Sequence, residues 1–323
     1  MSEEAPAIHA RGLVRRFGDE VAVDRLALRV ARGTITALLG HNGAGKTTVV
    51  RLLNGVLAAD AGEATVLGLD PWRDGDALRR RTGVSTERPS LDPRLSGRAN
   101  LRLYAALYGV PVAREEAAID GVLARFGLAA RGDDRVATFS RGMTQRLALA
   151  RCALHDPDLY FLDEPSAGLD PLAARDLRAW IADLARVHGK TVLLCTHDLG
   201  EAQRLADRVV VLRDGAVAAE GTPSELAARF GADRLEIDVP AAQAQGAARA
   251  LAEADLPCTS VLEADASPLP VGAARLRLNV GADAAPRVAR TLVAAEVDLL
   301  RLEPVLASLE EVYAAVYARE RAA

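Results

Sequence analysis

The stretch Gly40-His41-Asn42-Gly43-Ala44-Gly45-Lys46-Thr47-Thr48 constrains this chain more than any other. A mostly apolar run, Thr34 to Leu39, precedes it and reads as a buried strand; an apolar-periodic run, Thr47 to Leu57, follows and reads as a helix. Set between strand and helix, the pattern G-x-x-x-x-G-K-[ST] is a phosphate-binding loop. Its glycines let the backbone curl so that successive N–H groups point at phosphate oxygens, and the helix start adds the positive end of its dipole. Lys46 is placed to reach β- and γ-phosphates, and the Thr47 hydroxyl to ligate magnesium. Of 40 basic residues only Lys46 and Lys190 are lysines. A chain so biased toward arginine keeps a compact ammonium where a planar guanidinium would not fit among phosphates.

At 323 residues, half of them apolar, the chain has enough material for two domains with proper cores. No run approaches the length of a membrane span, and Met1-Ser2-Glu3-Glu4 lacks both a basic start and an apolar segment. The expectation is a cytoplasmic protein whose membrane role, if it has one, comes through a partner. Cys152, Cys195 and Cys258 have no metal-ligand spacing and read as packing residues in a reducing compartment. The formal charge of −4 is carried mostly by residues 231–323, which hold 14 acidic and 9 basic side chains. With 4% aromatic residues and no basic stripe, nucleic acid is not an expected partner.

Residues 8–14 and 20–30 read as an antiparallel strand pair around the turn Phe17-Gly18-Asp19, and Phe17 taken alone reads as core. A turn-rich segment, 60–63, then precedes a short strand, 65–69, and residues 96–128 carry a helical pattern. Ser140-Arg141-Gly142-Met143 opens a further helix, with Ser140 as N-cap and Gly142 allowing close approach, so this helix start is a second anion site. Leu159 to Leu162 is a buried strand tipped by Asp163 and Glu164, where ligands of open α/β sheets bind. Lys190 to Asp198 forms another such strand, with His197 at the same sheet edge. A lone histidine in an apolar run is more often structural; this position favours function. Asp214-Gly215 closes a hairpin. From about residue 231 the order becomes βαββαβ, with strands 235–239, 259–263, 275–280 and 297–302, indicating a ferredoxin-like α+β domain. A last helix, 308–319, presents Leu309, Val312, Tyr313 and Val316 as an apolar face suited to supporting a dimer.

Taken together and in this order, the phosphate loop, the Ser140-Arg141-Gly142-Met143-Thr144-Gln145 segment, Asp163-Glu164, Gly168-Leu169-Asp170 and His197 resemble the ATP-binding cassette (ABC) ATPases over the first 230 residues. The resemblance implies an α/β phosphate-loop NTPase domain, residues 1–230, with a parallel core sheet, an antiparallel β subdomain and a helical subdomain at about 88–138; residues 231–323 form the accessory domain. It implies ATP hydrolysis with Mg2+. Phe17 would stack on adenine, while Gly40, Asn42, Gly43, Gly45, Lys46, Thr47 and Thr48 would hold phosphates and metal. Asp163 would hold magnesium through water, Glu164 would polarise the attacking water and His197 would contact the γ-phosphate. Ser140 and Gly142 would reach a nucleotide held by a second copy, Asp170 would join the two sites, and the chain would work as a dimer.

Within that superfamily the Arg141-Gly142-Met143 form, the segment Pro93 to Leu101 and Leu309-Glu310-Glu311-Val312-Tyr313 are similar to the ATPases of the drug-resistance, daunorubicin-type ABC-2 exporters. These work with separate membrane-embedded permease subunits, at the inner face of the cell membrane. Where most cassettes carry a glutamine that touches magnesium, this sequence has Glu87, and its signature begins at Phe139 and carries Met143 in place of glutamine. The alternative is a soluble cassette ATPase acting on chromosomes or ribosomes. The first kind inserts a long coiled coil where mostly helical residues stand between Val84 and Phe139, and the second carries two cassettes in one chain.

Overall fold

In the computed structural model, which describes residues 5–86, 89–231, 234–256, 258–262 and 272–318, the chain divides after Thr222 into two units. The first begins with β1 (Ile8–Phe17) and β2 (Glu20–Val30), then β3 (Ile35–Leu39), α1 (Lys46–Leu53), β4 (Ala61–Val66), α2 (Gly75–Arg79) and β5 (Thr82–Ser85). It continues through α3 (Gly97–Tyr108), α4 (Val112–Arg125), α5 (Arg141–Ala153), β6 (Leu159–Asp163), α6 (Pro171–Arg186), β7 (Thr191–Thr196), α7 (Leu199–Leu205), β8 (Arg208–Arg213) and β9 (Ala216–Gly221).

Six of these strands form one sheet in the order β5-β6-β7-β3-β8-β9, parallel except for β9. The central strands are continuous apolar runs because both faces are covered, and their residues alternate between two cores. Leu159, Phe161, Leu193 and Cys195 face a core shared with α1 and the three-stranded antiparallel sheet β2-β1-β4. Tyr160, Leu162, Val192 and Leu194 face a second core built with α3 to α6. Phe161 alone, fully buried, contributes about 2–3 kcal/mol of burial.

Leu39 pairs with Thr196, and Asp163 with Cys195, so the C-terminal tips of β3, β6 and β7 end side by side. Cys152 and Cys195 are fully buried free thiols, and burial pushes the Cys152 thiol up to about 12, which fits a packing role. No helix among the described residues is long and apolar enough to cross a membrane.

Local differences from the sequence reading have physical causes. The expected turn at 60–63 is strand: β4 begins at Ala61 because it hydrogen-bonds along β1, from Val14↔Ala61 to Ile8↔Val66. The expected helical stretch 96–128 is two helices, since Gly109 ends α3 in the left-handed region at φ 75° and Pro111 caps α4.

The second unit contains α8 (Pro223–Phe230), β10 (Arg234–Pro240), α9 (Ala244–Glu253), β11 (Cys258–Leu262), β12 (Ala273–Leu278), α10 (Ala285–Ala294), β13 (Arg301–Val305) and α11 (Leu309–Ala318). Its sheet is antiparallel in the order β11-β12-β10-β13, which is the βαββαβ ferredoxin-like arrangement. The last strand forms at 301–305 rather than 297–302, because Val297 is instead buried in the core beneath the sheet. Leu309, Val312 and Val316 are buried within this unit, where α11 packs on α8. The apolar face that the sequence offered for dimer support is therefore used inside the unit.

Candidate nucleotide site

The phosphate loop leaves β3 at Gly40 and enters α1 at Lys46. Gly43 and Gly45 adopt φ of 90° and 99°, and a Cβ at Gly45 would lie 2.4 Å from the Ala22 carbonyl oxygen. Only glycine fits that turn. A Cβ at Gly40 would meet Ala44 at 2.8 Å and the Leu212 carbonyl at 2.9 Å. The loop thus folds back tightly on β2 and β8, and the Ala44 N–H closes it by donating to the His41 carbonyl at 3.1 Å. Lys46 is buried to 7% exposure, and its ammonium donates to the carbonyls of Gly40 (2.5 Å) and His41 (3.2 Å).

Beside the loop, Thr47 Oγ1 donates to Asp163 Oδ2 at 2.8 Å, joining α1 to the tip of β6. Asp163 is 3% exposed. Glu164, the next residue, sits at φ 49° and its N–H donates to the Cys195 carbonyl at 2.8 Å. That left-handed backbone is costly for a non-glycine residue and turns the carboxylate out of the strand direction. Glu164 Oε1 then lies 2.8 Å from His197 Nδ1 at the tip of β7.

One cavity of about 660 Å³ collects Asn42, Gly43, Gly45, Lys46, Thr47 and Thr48 with Asp163, Glu164 and His197, and Phe17 lies at its wall. Phe17 is not core: it ends β1 at 47% exposure, with the Arg15 guanidinium 4.9 Å from its ring centre.

Not every expected residue comes here. Gly40 lies beneath the loop, and Ser140, Gly142 and Asp170 line no part of this cavity. Ser140 Oγ caps α5 by accepting from the Met143 N–H at 3.2 Å. Asp170 caps α6 by accepting from the N–H groups of Leu172 (3.1 Å) and Ala173 (3.0 Å), and these bonds hold its carboxyl below the ordinary value. Glu87 lies outside the described residues.

Four cavity residues, Glu20, Ala22, Arg141 and Ala167, were not singled out as ligand contacts from sequence. Arg141 carried a signal, since it stands inside the motif; Glu20 and Ala22 carried none, because only the packing of β2 on the loop brings them there. Gln145, buried on α5, donates from Nε2 to the Pro165 carbonyl at 3.0 Å and so ties that helix to the acid-bearing segment. Glu201, fully buried on α7, accepts from Ser166 Oγ at 3.2 Å, and burial raises its carboxyl above the usual range.

A family model described as ABC transporter matches residues 23–167. The daunorubicin resistance ATP-binding protein DrrA3 of Streptomyces coeruleorubidus is 44% identical over 255 residues, 79% of each chain. The Nod factor export ATP-binding protein I of Paraburkholderia xenovorans is 39% identical over 235 residues, 72% of this chain and 77% of that protein. Among solved structures, an ATP-binding subunit of an ABC transporter superposes with a TM-score of 0.65 at 32% identity, covering 70% of this chain and 93% of the other.

Proposed function

The chain belongs to the ABC transporter family, whose ATP-binding domain hydrolyses ATP, and from that premise we propose that it is the ATPase subunit of an ABC-2 type exporter. It would energise efflux of a drug, lipid or other substrate through separate membrane-embedded permease subunits, working at the inner face of the cell membrane. The relatives that match along most of its length are drug-resistance and export ATP-binding proteins. They favour the exporter over a soluble cassette ATPase acting on ribosomes or chromosomes.

One observation carries the chemistry: a phosphate loop, a Thr–Asp pair and a Glu–His pair share one cavity. The donors fit magnesium. A hydroxyl and a carboxylate are hard oxygen ligands, and the described residues hold no cluster of three His, Cys, Asp or Glu that would make an all-protein metal cage. Thr47 and Asp163 would hold Mg2+, which neutralises phosphate charge when bound. Lys46 and the loop N–H groups would bind the phosphates, and Phe17 would stack on the base. Glu164 would accept the proton of the attacking water, and His197, hydrogen-bonded to it through Nδ1, would orient that carboxylate and use its other ring nitrogen at the γ-phosphate.

Ser140 and Gly142 stand outside the cavity that contains Lys46, which is the arrangement a site completed by a second copy requires. Two chains would then close around two nucleotides, with Asp170 linking the sites. Residues 1–230 would act as the ATP-binding domain, Glu87 and residues 88–138 would present the permease groove, and residues 231–323 would be accessory.

The test is Glu164→Gln. ATPase activity falls about 100-fold or more, ATP binding persists, and light scattering detects a stable dimer with Mg2+ and ATP. A strict monomer with ATP bound would withdraw the homodimer and assign completion of the site to a permease or a sister ATPase. A wild-type chain that bound no ATP would overturn the whole reading.

A further inference from the structure

We propose that Arg141 contacts the terminal phosphate of the nucleotide held by its own chain, so that the Ser140–Gly142 segment serves two nucleotides at once. The inference rests on the nucleotide site proposed above. Among the described residues the cavity has two permanent cations, Lys46 and Arg141. The ammonium of Lys46 is engaged with two carbonyl oxygens. Arg141 is exposed, and its side chain makes no hydrogen bond or ion pair among the described residues, although Asp163 and Glu164 line the same cavity. A guanidinium with all its N–H donors uncommitted, facing a phosphate loop, is a fork that matches two oxygens of a phosphate group.

Its direction is set by neighbours. Gly168, at φ 78°, leaves the space through which the side chain passes: a Cβ there would lie 2.5 Å from Arg141 Nε and 3.0 Å from Cδ and Cζ. Arg141 therefore enters from the Glu164–Gly168 side, along with Ala167, whereas Ala22 closes on Gly45 from the β2 side. The Glu164 end is where the terminal phosphate must lie for hydrolysis. Ser140, the N-cap of α5, has extended backbone and its Oγ is bonded to the Met143 N–H, so it stays out of the cavity, while Arg141, the first helical residue, lines it. The same turn of α5 thus offers a cation to its own nucleotide and keeps Ser140 and Gly142 outside that cavity, for a partner's. Loss of the γ-phosphate would release Arg141 and so report hydrolysis in one site to the segment that completes the other.

The experiment titrates Mg-ATP and Mg-ADP calorimetrically onto the full chain, wild type, Arg141→Ala and Arg141→Lys, at concentrations where sedimentation shows each to be monomeric. Arg141→Ala is expected to lose about tenfold or more in ATP affinity, with ADP affinity changed less than about twofold, and Arg141→Lys to recover part of the loss. Unchanged melting without nucleotide confirms that the exposed side chain was not needed for folding. Equal ATP affinity of monomeric wild type and Arg141→Ala overturns the proposal, and a defect confined to ATP-driven dimerisation would place Arg141 on the partner's nucleotide instead. Failure of the wild type itself to bind ATP would overturn the nucleotide reading, a separate result.

Discussion

Gly45 shows how a single hydrogen atom in place of a side chain shapes the loop of the candidate nucleotide site. Its φ of 99° and the 2.4 Å gap between its missing Cβ and the Ala22 carbonyl leave no room for any other residue. Gly45→Ala is therefore expected to lower stability by roughly 2 kcal/mol or more, read by thermal unfolding, and to weaken ATP binding together with it. A Gly45→Ala protein that melted like wild type would show that β2 can retreat from the loop. This requirement was legible in the sequence, because the motif demands glycine there. The matching role of Ala22 was not: an alanine twenty-three residues upstream carries no sign that its carbonyl will cap the turn.

At the scale of elements, α3 and α4 are joined by Arg98. Its guanidinium meets Glu116 at 3.0 Å and Asp120 at 2.7 Å on α4, and Asp133 at 3.4 Å beyond it. Arg102 adds contacts to Glu115 and Glu116 one turn further on. A network of this kind is worth more than isolated surface pairs but is still screened by salt. Arg98→Ala is expected to cost about 1 kcal/mol at low ionic strength, and the difference from wild type should shrink in about 1 M salt. Equal loss in both conditions would mean that the packing of the arginine stem matters, not its charge. The periodicity of 96–128 made helix legible here. Gly109 and Pro111 were visible as well, yet the break they cause is certain only when Gly109 is seen at positive φ.

At the scale of the whole molecule, each unit has its own core, and the second also carries charges inside its sheet. Arg275 grips Asp238 through two bonds of 2.7 and 2.8 Å, and both residues are nearly fully buried. The Arg275 guanidinium holds the Asp238 carboxyl below the ordinary carboxylate value. On acidification the unfolded chain therefore takes up this proton first: the pair's contribution is present above about pH 4 and is lost as pH falls through the depressed folded value. Asp238→Asn is expected to cost roughly 3 kcal/mol at neutral pH, by leaving the buried Arg275 with the longer 3.6 Å contact to Glu236 in place of its two-bond carboxylate partner, and to flatten the acid side of the stability profile. Denaturant unfolding of both proteins from neutral to acid pH measures this, and parallel profiles would mean that Asp238 is not the titrating group. The alternation of apolar and polar residues along 235–239 and 275–280 announced these strands, but not that Asp238 would face Arg275, since that depends on the antiparallel register of β10 on β12. The same division holds throughout. Local pattern alone determined the phosphate loop, the acid-tipped strand, the histidine after it and the βαββαβ order, because each is written in contiguous residues with a fixed period or turn chemistry. Only the tertiary structure decided that Thr47 meets Asp163, that Glu164 meets His197, that Arg141 enters the cavity while Ser140 stays outside, and that α11 spends its apolar face on α8. Those contacts arise from strand order and helix packing between segments far apart in the chain, which no local pattern encodes.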